Sequence, residues 1–164
     1  MLARRLVSEN PDFVRLSVDD LRDMFFGGIE PPPKEEEFVY STLGALRDLT
    51  LRHGHSVILD STTPKNSTRN FLLNTRVERV RRLLVVVMVE KNELIGRNHE
   101  RGMEGVVEAW DKAWENPPPM MPIMKFRNNS LTEFETSYYV LNEVLRSKIN
   151  PYKRRFPAHL YPKI

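Results

Sequence analysis

The run Leu83-Leu-Val-Val-Val-Met-Val89 limits what this chain can fold into more than any other stretch. Seven consecutive apolar residues, four of them valine, lack the alternation of a strand with one wet face. They read as a strand covered on both faces, which is the habit of parallel sheets flanked by helices. The run is also far short of the roughly 20 apolar residues that a membrane-crossing helix needs. Two shorter runs share the type: Phe13-Val-Arg-Leu-Ser17, and Ser56-Val-Ile-Leu-Asp60, a buried strand ending in an acid. Helix-forming segments lie between all three, so the spacing predicts an α/β fold with a parallel sheet between helices. Three clear strands are few for that architecture.

The helical segments follow from their periodicity and stops. Leu2–Glu9 is predicted helical with Leu2, Leu6 and Val7 inward, and Asn10-Pro11 ends it. A short helix begins at Asp19 or Asp20, carries Leu21, Met24, Phe25 and Phe26, and stops at Gly27-Gly28. Pro31-Pro-Pro33 is a stiff linker. Glu35–Arg52 is a long helix with acids in its first turn and Gly54 past its end, as the macrodipole prefers. Its apolar stripe is Phe38, Val39, Thr42, Leu43, Leu46 and Leu49. Thr62-Thr63-Pro64 opens a further helix to about Arg79, proline being tolerated in a first turn. Asn92–Arg101 is a basic helix ending at Gly102, and Glu104–Glu115 another, with Val107, Trp110, Ala113 and Trp114 inward. Asn116-Pro-Pro-Pro119 then breaks the chain. Beyond it come a strand near Ile123–Phe126, a helix over Leu131–Lys148 and a basic tail. Residues 1–116 form the expected core, with 117–164 an α-rich extension packed on or trailing it.

Composition removes several function classes. The 164 residues are 40% hydrophobic, enough for one domain with a real core. The absence of cysteine excludes disulfides, thiolate metal sites and cysteine nucleophiles. The four histidines, His53, His55, His99 and His159, show no helical metal-ligand spacing. Nothing resembles a signal peptide, and a soluble, cytoplasmic protein is expected. A formal net charge of +3 suits anionic ligands without demanding nucleic acid.

The chemistry concentrates where strands end. Val18-Asp-Asp-Leu-Arg22 places two carboxylates and a guanidinium at a strand's carboxyl edge, where open α/β folds bind ligands. A carboxylate there can take a proton from a hydroxyl, and an arginine one turn on can hold a phosphate bidentately. A helix-capping aspartate with a surface arginine fits the same residues. Asp60 ends the next strand, and Thr62 follows it as a phosphate contact or, alternatively, a cap. Arg97 and Arg101 share a helix face at i, i+4, as does a merely solvated basic surface. Arg69 can also face the site. Trp110 and Trp114, again i, i+4, fit core packing better than base stacking. Tyr152, Lys153, Arg154, Arg155 and Phe156 can touch RNA or DNA, or simply form a solvated terminus.

With these residues placed, the chain resembles the P-loop kinases of the polynucleotide 5′-hydroxyl kinase type, the AAA-type predicted kinases. The markers are Leu2-Ala-Arg-Arg-Leu6, Asn10-Pro-Asp-Phe13, Val18-Asp-Asp-Leu-Arg22, Val57-Ile-Leu-Asp-Ser-Thr62 and Arg97-Asn-His-Glu-Arg101-Gly102. The resemblance runs from Met1 to about Glu115. It implies that Asp19 is the general base toward the acceptor hydroxyl, and that Arg22, with Asp20 beside it, binds the acceptor's phosphate. It implies that Asp60 stands near the nucleotide phosphates and touches Mg²⁺ through water, with Thr62 nearby. It implies a lid helix, about residues 92–102, whose Arg97 and Arg101 clamp ATP. Phosphoryl transfer depends on such positioning and positive charge more than on covalent chemistry.

The family pattern opens with a strand and the Walker A loop, G-x-x-x-x-G-K-[ST], whose amides cradle phosphates. That loop would sit just before Leu2, and no Gly-Lys pair occurs in these residues. The expectation is a P-loop NTPase-type sheet that lacks its first strand and, as given, is a weak binder of ATP. Its truncated mid-sheet edges would favour self-association. The function expected is ATP-dependent transfer of a γ-phosphoryl group to a polynucleotide 5′-OH. A small sugar or nucleoside as acceptor, or a non-catalytic scaffold, are the alternatives.

Overall fold

The computed structural model describes residues 1–27, 32–100, 102–103 and 105–149. The expectations at Gly28, Pro31, Arg101 and Glu104, and for the tail from Asn150, lie outside the described residues. In chain order the elements are α1 (Leu2–Glu9), β1 (Phe13–Ser17), α2 (Val18–Phe26), α3 (Pro33–Arg52), β2 (Ser56–Asp60) and α4 (Asn66–Leu73). Then follow β3 (Leu84–Met88), α5 (Lys91–His99), α6 (Val106–Ala113), β4 (Ile123–Arg127) and α7 (Leu131–Ile149).

The four strands make two separate parallel pairs. β1 pairs with β2, Phe13 opposite Ser56 and Ser17 opposite Asp60. β3 pairs with β4, Leu84 opposite Ile123 and Met88 opposite Arg127. Among the described residues no pairing joins β2 to β3. The expected single sheet is therefore divided, and β4, from beyond residue 116, completes the second pair.

Each pair has its own core. Leu16 and Leu59 of the first pair pack on Val18, Leu21, Val39, Leu43 and Leu72, contributed by α2, α3 and α4. Val85 and Met124 of the second pack on Leu6, Phe126, Phe134, Tyr138 and Leu141, contributed by α1, β4 and α7. Alternation along β2 turns Ile58 to the opposite face, where it packs on the second cluster. The halves thus share apolar contacts but no strand ladder. Full burial of an aliphatic or phenyl side chain is worth about 1.5–3 kcal/mol, so the buried members of the two clusters carry much of the fold's driving force.

Several expectations need correction, and the divided sheet explains two. β2 is only half-buried along its length, and Val87 and Met88 of β3 are exposed, because each strand has one unpaired edge. In α3 the inward stripe is Val39, Leu43 and Arg47, whereas Phe38 and Leu49 are exposed. Helix α4 starts at Asn66 and ends at Leu73, so Thr62 does not cap it and it stops well short of Arg79. Trp110 and Trp114 are partly exposed rather than inward, since the short α6 buries only Val107.

Candidate active site at the carboxyl edge of the first sheet

Helix α2 begins the moment β1 ends. The junction is capped by Ser17, whose Oγ accepts the Asp20 N–H at 3.3 Å, so neither aspartate serves as the cap. Both acids occupy the first turn, where the helix dipole favours negative charge. At the far end Gly27 closes the helix in the left-handed region, φ 63°, which glycine adopts without Cβ strain. The register then places Asp60, last residue of β2, beside Ser17 at the same edge.

Two arginines organise these acids. Arg15 lies two residues before Ser17, and its side chain reaches up the sheet. Nε donates to Asp60 Oδ2 at 2.7 Å, and Nη1 donates to Asp20 Oδ2. Burial works against its charge, but its hydrogen bonds to Asp60 and Asp20 more than offset this and hold its pKa above the ordinary value. Arg22 is gripped as a fork by Glu36 from the first turn of α3. Nε donates to Oε2 at 3.0 Å and Nη2 to Oε1, while Nη1 donates to Asp19 Oδ1 at 3.1 Å. The Glu36 hydrogen bonds raise the Arg22 pKa despite partial burial.

Two guanidinium groups therefore hold four carboxylates at one edge, leaving an excess of negative charge. The Asp19 side chain is 84% exposed, open to an incoming hydroxyl, while Arg22 behind it is 27% exposed. Past Asp60, Ser61 Oγ lies 3.4 Å from Tyr40 Oη, and Thr62 is exposed in the loop.

The structure thus brings Asp19, Asp20, Arg22 and Asp60 together. Arg97 stands at the other half: Nε donates to Glu93 Oε1 at 2.8 Å, and Nη2 to the Asn128 carbonyl at 2.9 Å, just past β4. Among the described residues no hydrogen bond or ion pair links Arg97 to Asp19, Asp20 or Asp60. Arg101 lies outside the described residues. Sequence reasoning missed Arg15 and Glu36. The signal for Arg15 was available, as the lone charge in an apolar strand; Glu36 read as one more acid in a helix's first turn.

As for ligands, no group of three or more His, Asp or Glu side chains among the described residues can hold a metal ion. Asp60 keeps Oδ1 outside its contact with Arg15, which fits a single, water-mediated contact to Mg²⁺ and not a protein-built cage. The described residues contain no Gly-x-x-x-x-Gly-Lys-[Ser/Thr] segment from which a Walker A phosphate cradle could form. Among the described residues no helix is long and apolar enough to cross a membrane.

A family model described as an AAA domain matches residues 1–116. No curated protein matches the chain.

Proposed function

This chain belongs to the AAA domain family, a P-loop NTPase-like kinase family, and on that premise we propose that it is a phosphotransferase domain acting on a hydroxyl. The family's chemistry is nucleotide-binding and kinase-like, with nucleotide and Mg²⁺ used generally. Our finer reading is that ATP is the donor and a polynucleotide 5′-OH the acceptor.

One observation carries the reading: an exposed carboxylate, Asp19, at the carboxyl edge of a parallel strand, held by an arginine that is itself pre-set. A guanidinium has five N–H groups, and Glu36 and Asp19 engage three of Arg22's. Two remain for a phosphate next to the reacting hydroxyl. Asp19 then receives the hydroxyl proton as the hydroxyl oxygen bonds to the γ-phosphorus and the bond from that phosphorus to the departing nucleoside diphosphate breaks. Until the transition state such a group chiefly orients the hydroxyl. The excess of carboxylates supports a role for Mg²⁺ beside Asp60 and for cationic lid residues, Arg97 and Arg101, against the donor phosphates. The Arg15 guanidinium bridges Asp60 and Asp20 and so holds the two acids together.

The test joins a strand and a Gly-x-x-x-x-Gly-Lys-Ser/Thr segment ahead of Leu2 and measures transfer from γ-labelled ATP. Acceptors are a 5′-OH oligonucleotide, a nucleoside and a sugar. Labelled oligonucleotide is the expected product, and Arg22→Gln raises the acceptor KM about tenfold or more, the worth of a charge-assisted bidentate contact. Label on the nucleoside or sugar alone would reject the polynucleotide acceptor; no transfer to any of the three would reject the kinase reading.

A further inference from the structure

Helices α5 and α6 are fastened at their two ends to different halves of the molecule. Near the start, the Glu90 N–H donates to Asn129 Oδ1 at 2.7 Å and Arg97 donates to the Asn128 carbonyl, both beyond β4. At the finish, the segment after α6 lies on the loop between β2 and α4. There the Glu115 N–H donates to the Pro64 carbonyl at 2.9 Å. The Asn66 N–H donates to Glu115 Oε2 at 2.7 Å, and Asn66 Nδ2 to the Asn116 carbonyl at 2.9 Å.

Arg69 sits behind this junction and is 2% exposed. Its guanidinium lies 4.1 Å from the centre of the Trp114 ring, within cation–π range. Nε donates to the Thr63 carbonyl at 2.7 Å, and Nη1 to Asn66 Oδ1 at 2.9 Å and to the Glu115 carbonyl. Nη2 is buried without a hydrogen-bond partner. A cation buried on carbonyls and a ring is an expensive way to fill the inner face of a helix, because its charge is desolvated without a bonded carboxylate. Burial accordingly lowers its pKa. Leucine would fill such a face at less cost, but it could not bind Thr63 and Glu115 at once.

We infer that Arg69 and Trp114 form a clamp that fixes the end of α6 to the loop after Asp60, and so sets where α5 stands relative to the first half-sheet. Arg69 is a positioning residue: through the Thr63 and Glu115 carbonyls it bridges two halves that, among the described residues, no strand ladder joins. The inference rests on the kinase reading only for the name lid; the geometric claim stands without it.

The chain has no cysteine, so an introduced pair is unique. Spin labels at Ser41→Cys on α3 and Glu100→Cys past α5, both exposed sites, report the distance between the two halves by electron–electron resonance. With Arg69 intact one narrow distance population is expected. Arg69→Met about doubles its width or adds a second population, as release of a local tether does. Arg69→Lys restores part of the order by donating to one carbonyl. Trp114→Leu, milder toward folding, moves the distribution the same way and carries the test if Arg69→Met does not fold. An unchanged distribution in a folded Arg69→Met or Trp114→Leu protein overturns the clamp. No turnover is required, so loss of the kinase reading and loss of the clamp are told apart.

Discussion

The two half-sheets use the same plan, a pair of five-residue parallel strands, and do different work with it. The first, β1–β2, is aliphatic beneath and charged at its carboxyl edge, where Arg15 and Arg22 hold four acids in place. The second, β3–β4, rests on aromatics. Phe126 meets Phe134 edge-on with centroids 5.3 Å apart, Tyr138 stacks on Phe134 at 6.1 Å, and Arg5 covers Tyr138 at 3.9 Å. One half concentrates polar groups with chemical potential, and the other concentrates buried area. The difference teaches that a fold can gather its candidate site on the half with the smaller side chains and anchor itself with the half that has the larger.

The comparison breaks most readily at Phe126, which is fully buried. Phe126→Ala should cost about 3–5 kcal/mol in denaturant unfolding, with amide exchange rising first in β3, β4 and α7. Exchange rising equally in β1 and β2 would show one cooperative unit instead of two. Leu43→Ala, on the aliphatic side, should cost about 3 kcal/mol and loosen α2, α3 and β2 first.

Titration separates the halves more gently. Burial, followed by the neighbouring Glu9 carboxylate, pushes the Tyr138 phenol up to about 12. A group whose folded pKa lies above its unfolded value of about 10 gives stability that is present below pH 10 and lost as pH rises toward 12, worth roughly 2 kcal/mol. Tyr138→Phe should flatten stability against pH across that window. In the other half the Asp48 carboxylate is held below its ordinary value by the Arg47 guanidinium and then by Thr75. Its contribution is present at neutral pH and lost as pH falls through the acid range, so Asp48→Asn should blunt acid unfolding. The smallest effect is at the cap: Ser17→Ala should cost about 1 kcal/mol, and Ser17→Thr far less, by thermal melting.

Much of this was readable in the chain. Helix α1 and strands β1 and β2 fall on the residues that the apolar runs and their Pro and Gly boundaries indicate, because those signals are local. The acids and Arg22 converge because strand ends are local too. The break between β2 and β3 was a matter of pairing between residues far apart, which no local pattern records. Glu36 looked like a helix-dipole acid until α3 folded back onto α2. Arg69 was readable only as a charge near the site, since its partners Thr63 and Glu115 are backbone carbonyls and carry no sequence signature. Trp114 looked like core, but its cover turned out to be the Arg69 guanidinium.

The account stands on Asp19 as the group that meets the acceptor hydroxyl. The direct measurement is the single-turnover rate of γ-phosphoryl transfer to a 5′-OH oligonucleotide in the Walker A-joined protein, with Asp19 and with Asp19→Asn. The account predicts a fall of about 10²–10⁴-fold with acceptor binding kept, as loss of a general base entails. An Asp19→Asn protein that transfers phosphate at the full rate would contradict it.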